Sequence, residues 1–147
     1  DIYVKSSKNL KSIKCPVEFN TTAIDEFLII FLIASKAKGI SIFKNLQELK
    51  KKESDRLKIG SNILKLIGVK NQITNEKNIK IWGNQNLGLN GNYEIKDYMK
   101  DHRVMAMTTI AALTLGGTWK IHDKNSINTS FPDFIKILRN LGAKIAD

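Results

Sequence analysis

Lys52-Glu53-Ser54-Asp55-Arg56 packs two cations and two carboxylates into the stretch where a loop runs into an amphipathic helical pattern. Asp101-His102-Arg103 repeats the arrangement at the mouth of a second helical pattern. Carboxylates and histidine can take and return protons. Lysine and arginine at a helix start can hold an anion beside free backbone N–H groups. Two such clusters in one chain point to a phosphorylated substrate.

Asp25 follows Thr22 at the spacing of a capping box. It reads either as a carboxylate that satisfies backbone N–H groups or as a base at a buried helix mouth. Arg103 stands at the place matching Asp25 in a second copy of the pattern. A cation there opposes the positive end of the helix dipole, and a bound anion resolves the conflict. His102 beside it is a satisfied core histidine or a proton shuttle. Lys52 and Arg56 are four apart and converge on one anion with Glu53 between them, or else form a self-paired charged loop. Ser54 reads as a cap for the helix that follows. His122 and Asp123 follow a strand end and make no recognisable metal site with the distant His102.

An internal repeat positions these residues. The apolar segment from Ala23 to Lys38 reads as a helix ended by Gly39, with a strand at Ile40–Phe43. Asp101–Leu115, Gly116-Gly117 and a strand at Thr118–Ile121 repeat it, so Gly39 and Gly117 mark the same point in the two copies. A second helix closes each copy, at Gly68 in the first and at Gly142 in the second. The spacing from Gly39 to Gly68 exceeds that from Gly117 to Gly142 by four, and the extra length falls around the lysine-rich stretch before Ser54. Leu57, Ile63, Leu64 and Ile67 make one apolar helical face, as do Phe131, Phe134, Leu138 and Leu141. Ser130 with Asp133 resembles a capping box, Ile79–Trp82 reads as a strand, and Asn84–Asn92 as a loop. The class is α/β, in two units of roughly residues 13–82 and 93–147. Ala23–Ala37 and Val104–Leu115 are apolar nearly all round and belong inside the core.

At 147 residues one domain is expected, and Ile2–Val4 already reads as strand, so the chain is expected to be the C-terminal piece of a longer polypeptide. The longest apolar run, Phe27–Ala34, is far below the roughly 20 residues of a membrane span. Cys15 is the only cysteine, which excludes an internal disulfide and a cysteine-based metal site. The formal charge of +10 suits a nucleic-acid partner or an acidic small substrate. The lysines are scattered rather than striped, so compositional drift explains them better than a nucleic-acid face.

Leu49 to Arg56, then Asp101-His102-Arg103 with Met105-Ala106, then Ser130-Phe131-Pro132, resemble in identity, spacing and order the EPSP synthase family, the 3-phosphoshikimate 1-carboxyvinyltransferases. The resemblance covers essentially the whole chain and corresponds to about the last third of such an enzyme. It implies an inside-out barrel of βαβαββ units, helices inward and sheets outward, of which this chain holds about two in one lobe. It implies transfer of the enolpyruvyl group of phosphoenolpyruvate to the 5-hydroxyl of shikimate 3-phosphate, with release of phosphate and no metal or organic cofactor. Asp25 would hold the shikimate hydroxyls and take the 5-hydroxyl proton. Lys52 would contact shikimate 3-phosphate, and Glu53 would protonate the methylene carbon of phosphoenolpyruvate. Arg56 and Arg103 would clamp its carboxylate, with His102 supporting the reacting centre. A cytoplasmic enzyme, monomeric at full length and with no nucleic-acid or membrane partner, is expected.

Two departures stand out. Thr129 occupies a position where many members carry a lysine, so affinity for phosphoenolpyruvate and sensitivity to glyphosate do not carry over. The other lobe, with its substrate-holding cations, is absent, so this polypeptide alone is expected not to turn over. A sibling enolpyruvyl transferase acting on a UDP-amino sugar shares the fold but lacks the Lys-Glu-Ser-Asp-Arg run. An RNA-binding module built from the same unit is the alternative outside enzymes.

Overall fold

The unbroken apolar run after Glu26 forms α1 (Phe27–Ser35), which buries Phe27, Leu28, Phe31, Leu32, Ala34 and Ser35. The computed structural model describes every residue except Ile2, Val4, Ser6, Lys8 and Asp147. The strand expected at Ile2–Val4 thus lies outside the described residues, Tyr3 apart, and Tyr3 is in no strand. Gly39, with φ of 106°, turns the chain out of α1 into β1 (Gly39–Phe43). There the Phe43 ring meets Phe31 and Phe27 edge-on, with centroids 5.3 and 6.0 Å apart. Such aromatic clusters bury large areas and fix the angle between a helix and its sheet.

β1 pairs antiparallel with β3 (Asn78–Gly83), which pairs antiparallel with β2 (Asn71–Thr74). Residues 11–14 run parallel to β1, bridged at Lys11–Lys38 and Lys14–Ile42. α2 (Arg56–Leu66) leads into β2, and its apolar stripe of Leu57, Ile63 and Leu64 is buried as the spacing requires. β4 (Leu89–Ile95), α3 (His102–Leu115) and β5 (Gly116–Ile121) follow, with β4 and β5 parallel. A 3-10 turn at Lys124–Thr129 and α4 (Phe134–Asn140) complete the mixed α/β fold. The helices α1, α2 and α3 pack on one another and against β3, β2 and β5 respectively. That arrangement brings the starts of the three helices together.

Four local expectations are corrected. Residues 20–26 are turns, so α1 starts at Phe27 rather than Ala23. Half of the expected Asn84–Asn92 loop is β4, because pairing with β5 outweighs the weak strand preference of Leu89-Asn90-Gly91-Asn92. Asp133 makes no side-chain cap, and Ser130 donates to the Ile127 carbonyl instead. The stripe on α4 is only partly covered: Phe134 packs half-buried against the core, no residue of the helix is fully buried, and Phe131 and Leu141 are 46% and 79% exposed.

Gly83 closes β3 against the end of α1. A Cβ there would collide with the carbonyl oxygens of both Ala34, in the last turn of α1, and Ala37 just beyond it, main-chain atoms that cannot swing aside as the end of a side chain can. Gly83→Ala is expected to lower stability by about 3 kcal/mol, the upper range for overpacking. Urea denaturation of the purified chain measures this, and an unchanged midpoint would contradict the close approach.

Candidate functional site

Each helix start is held by its own anchor. Asn20 donates to the carbonyls of Lys44 and Asn45 at 2.8 and 3.1 Å, tying the turn that carries Asp25 to the end of β1. Leu46 and Leu49 are fully buried and pin the 3-10 turn Gln47–Lys51, after which Lys52, Glu53 and Ser54 emerge. Asp55, not Ser54, caps α2 by accepting from the Lys58 N–H at 3.0 Å. Before α3, the Tyr98 ring is buried and its hydroxyl donates to the His122 carbonyl. Asp97, Met99 and Lys100 then take left-handed φ of 55–57° to present Asp101. Asp101 caps α3, accepting from the Arg103 N–H at 2.9 Å.

Arg56 lies at the centre, 1% exposed, and gathers carboxylates from three elements. Its Nε donates to Asp101 Oδ2 at 2.9 Å, Nη1 to Asp25 Oδ1 at 2.8 Å and Nη2 to Glu53 Oε2 at 2.5 Å. Nη2 also reaches Asp101 Oδ1 at 3.3 Å, making the buried pair bidentate. Ser54 is buried, and its hydroxyl donates to Asp101 Oδ2 at 2.8 Å. Lys52 Nζ sits 3.1 Å from Asp25 Oδ1. A buried guanidinium is tolerated only when its donors are matched in this way.

The surroundings set the titration of the carboxylates. The hydrogen bond from Lys52, helped by Arg56, holds Asp25 below the usual carboxylate range in spite of partial burial. Burial alone would raise Asp101, but the bonds from Arg56, Ser54 and the Arg103 N–H together outweigh it and hold it low. Burial opposes the charge on Arg56 as well, and the surrounding carboxylates more than compensate. Counting Arg103 and its partner Glu26, at 2.6 Å, the cluster holds three cations and four carboxylates. It is close to neutral, not the cationic patch that a free phosphate would seek.

Asp25, Lys52, Glu53 and Arg56 therefore form one network, and Arg103 joins it through its own backbone N–H, which donates to the Asp101 carboxylate. The Asp25 carboxylate goes to Arg56 and Lys52, while Thr22 donates to the Phe19 carbonyl, so neither builds the capping box that their spacing allowed. The dipole conflict inferred for Arg103 is met by Asp101 and Glu26 without an anion. His102 opens α3 half-buried and makes no side-chain hydrogen bond among the described residues. Asp101, Ser54 and Glu26 were not singled out as site residues by sequence. The signal for Asp101 was its place before His102-Arg103 at a helix start; nothing local marks Ser54 as its partner 47 residues away. Among the described residues no three His, Cys, Asp or Glu side chains are arranged to hold a metal ion.

The family model described as EPSP synthase (3-phosphoshikimate 1-carboxyvinyltransferase) matches residues 2–138. The 3-phosphoshikimate 1-carboxyvinyltransferase of Ruthia magnifica is 35% identical over 147 residues, covering 99% of this chain and 32% of the relative. That of Thermodesulfovibrio yellowstonii is 36% identical over 141 residues, covering 96% of this chain and 32% of the relative. The chain thus spans about a third of the length of these relatives. Among solved structures, an EPSP synthase from Acinetobacter baumannii superposes with a TM-score of 0.79 at 31% identity, over 90% of this chain and 30% of that one. The enolpyruvyl transferase NikO from Streptomyces tendae, at 17% identity and TM-score 0.64 over 83% of this chain and 26% of that one, shares the fold.

A carboxylate held low in the folded state stabilises fully above its unfolded value, and that contribution is lost as pH falls through the folded value. For Asp25 and Asp101 the loss begins below about pH 4. Asp101→Asn removes one titrating group and leaves Arg56 short of its bidentate partner. The expected result is about 3 kcal/mol less stability at pH 7 and a shallower decline on acidification. Urea denaturation at pH 7 and pH 3 reads both; an acid decline as steep as in the parent chain contradicts the assignment.

Proposed function

The chain belongs to the EPSP synthase family, and we propose that it carries the proton-handling half of a site that transfers the enolpyruvyl group of phosphoenolpyruvate to the 5-hydroxyl of shikimate 3-phosphate. One observation carries the reading: Arg56 gathers Asp25, Glu53 and Asp101 from three helix starts, with Lys52 on Asp25. This chemistry needs an acid for the methylene carbon, a base for the attacking hydroxyl and cations for the anionic groups, all at one mouth.

In this reading Asp25 accepts the 5-hydroxyl proton as the oxygen attacks C2 of phosphoenolpyruvate, and Glu53 delivers a proton to C3. The tetrahedral intermediate then expels phosphate while the C3 proton returns to a carboxylate, restoring the vinyl group. Lys52 lies within reach of both Asp25 and an incoming phosphate. Arg56 already has its donors on carboxylates, so a substrate carboxylate takes the Nη2 position that half-exposed Glu53 now holds. That exchange releases Glu53 toward the reacting carbon and leaves Asp101 to keep the guanidinium in place. Arg103 changes partner in the same way, giving up Glu26. His102 beside them supports the reacting centre.

The near-neutral charge of the cluster bears on activity. Two polyanionic substrates need more cations than Lys52, Arg56 and Arg103 supply, and these come from the remainder of an enzyme-length protein. The same reading gives two βαβαββ units of one lobe of a barrel with helices inward, in a cytoplasmic enzyme that is monomeric at full length and needs no metal or organic cofactor.

The test mixes this chain with the part of the Ruthia magnifica relative that it does not match, and measures phosphoenolpyruvate-dependent phosphate release with shikimate 3-phosphate present. Release is expected only from the mixture, and Glu53→Gln is expected to slow it by about 10²–10⁴-fold. Release by the chain alone, or an unaffected Glu53→Gln, contradicts the reading.

A further inference from the structure

The seam between the two units opens as a groove of about 300 Å³ between α2 and the end of β4. None of Asp25, Glu53, Arg56 or Asp101 lines it, so it is separate from the candidate site. Its apolar side is a stripe on α2, where Ile59, Ile63 and Leu66 fall at positions i, i+4 and i+7 of one helical face. Ile63 is buried, whereas Leu66 is left 47% exposed. Ile95 and Tyr98, both buried, line the groove from the second unit.

Polar groups of both signs share this small space. Asn62 and Asp97 line it, and neither side chain has a hydrogen-bond or ion-pair partner among the described residues. Lys96 lines it too, and its ion pair with Glu94 is stretched to 4.0 Å. Glu94 is engaged more closely by His122, at 2.9 Å. A carboxylate, an ammonium and an amide left over beside an apolar wall are what a small-molecule site uses to orient its ligand. One free charge of each sign matches a ligand that carries both. Two carboxylates against one cation repel phosphorylated compounds, so the groove is not a second place for the substrates of the proposed reaction.

We propose that this groove binds a small zwitterion with an apolar side chain, the chemistry of a free aliphatic amino acid. Its ammonium meets Asp97, its carboxylate meets Lys96 and the Asn62 amide, and its apolar body covers the Ile59, Ile63 and Leu66 stripe. Every lining residue belongs to this chain. The inference is therefore independent of the catalytic roles and of the remainder of an enzyme-length protein.

Titration of the chain with L-leucine, followed by NMR, tests it. Saturable shifts are expected at the methyl groups of Ile59, Ile63 and Leu66 and at the amides of Lys96, Asp97 and Tyr98. Three truncated probes dissect the recognition: isocaproate lacks the ammonium, isopentylamine lacks the carboxylate and glycine lacks the apolar body. Each is expected to bind at least about ten-fold more weakly than L-leucine, the scale of one charged hydrogen bond or one buried aliphatic side chain. Lys96→Met and Asp97→Asn are expected to weaken L-leucine binding by a similar factor. Asparagine suits the left-handed backbone that Asp97 adopts, with φ of 57°, so that variant keeps the local fold. Absence of saturable shifts at these positions overturns the proposal. A truncated probe that binds as tightly as L-leucine overturns it as well, as does an affinity unchanged in both variants. Phosphate release enters none of these readouts, so failure here is separable from failure of the catalytic reading.

Discussion

A guanidinium shut away from water at the meeting point of three helix starts is the constraint on which the rest of the structure depends. Arg56 cannot lose its proton, and an unmatched buried charge costs several kcal/mol. The fold must therefore deliver carboxylates to it. Asp25 arrives from the turn before α1, Glu53 from the loop before α2 and Asp101 from the cap of α3. Removing Asp25 or Asp101 disturbs the relative placement of two helices as well as the site, whereas Glu53 answers Arg56 from three residues before it. Stability and the candidate chemistry are thereby written in the same side chains.

The loops around Arg56 are built to that end. Three non-glycine residues before α3 adopt left-handed backbone conformations, which bulky side chains rarely favour. Buried Tyr98, bonded to the His122 carbonyl, holds the segment so that Asp101 faces inward. Ser54 gives up the cap position to Asp55 and closes the last acceptor of Asp101. Among the described residues no buried side-chain nitrogen or oxygen lacks a hydrogen-bond partner, which is what a water-poor charge cluster requires.

Much of this was legible in the sequence because local rules governed it. The apolar stripe of α2, the glycine closing α2, and strands at Ile40–Phe43 and Ile79–Trp82 follow from periodicity and turn chemistry, whereas α1 ends at Ser35, short of Gly39. Contacts across the chain were not legible. Thr22 and Asp25 carry capping-box spacing, yet Asp25 is taken by Arg56, 31 residues on, because matching a buried guanidinium outweighs a surface cap. Ser54 answers to Asp101 for the same reason. Leu89–Asn92 read as loop on composition and became strand through pairing with β5. The stripe on α4 is real as a pattern, but among the described residues it is covered only in part, where Phe134 packs against the core.

The central claim is that Arg56 and Asp101 stabilise each other as a buried pair rather than each making an independent contribution. A double-mutant cycle with Arg56→Met and Asp101→Leu, read by urea denaturation at pH 7, measures this most directly. Each single change strands a buried charge and is expected to destabilise by about 3–5 kcal/mol, whereas the double change leaves neither and should be no worse than either alone. Strictly additive losses would contradict the account, because they would mean that the two groups do not meet in the folded protein.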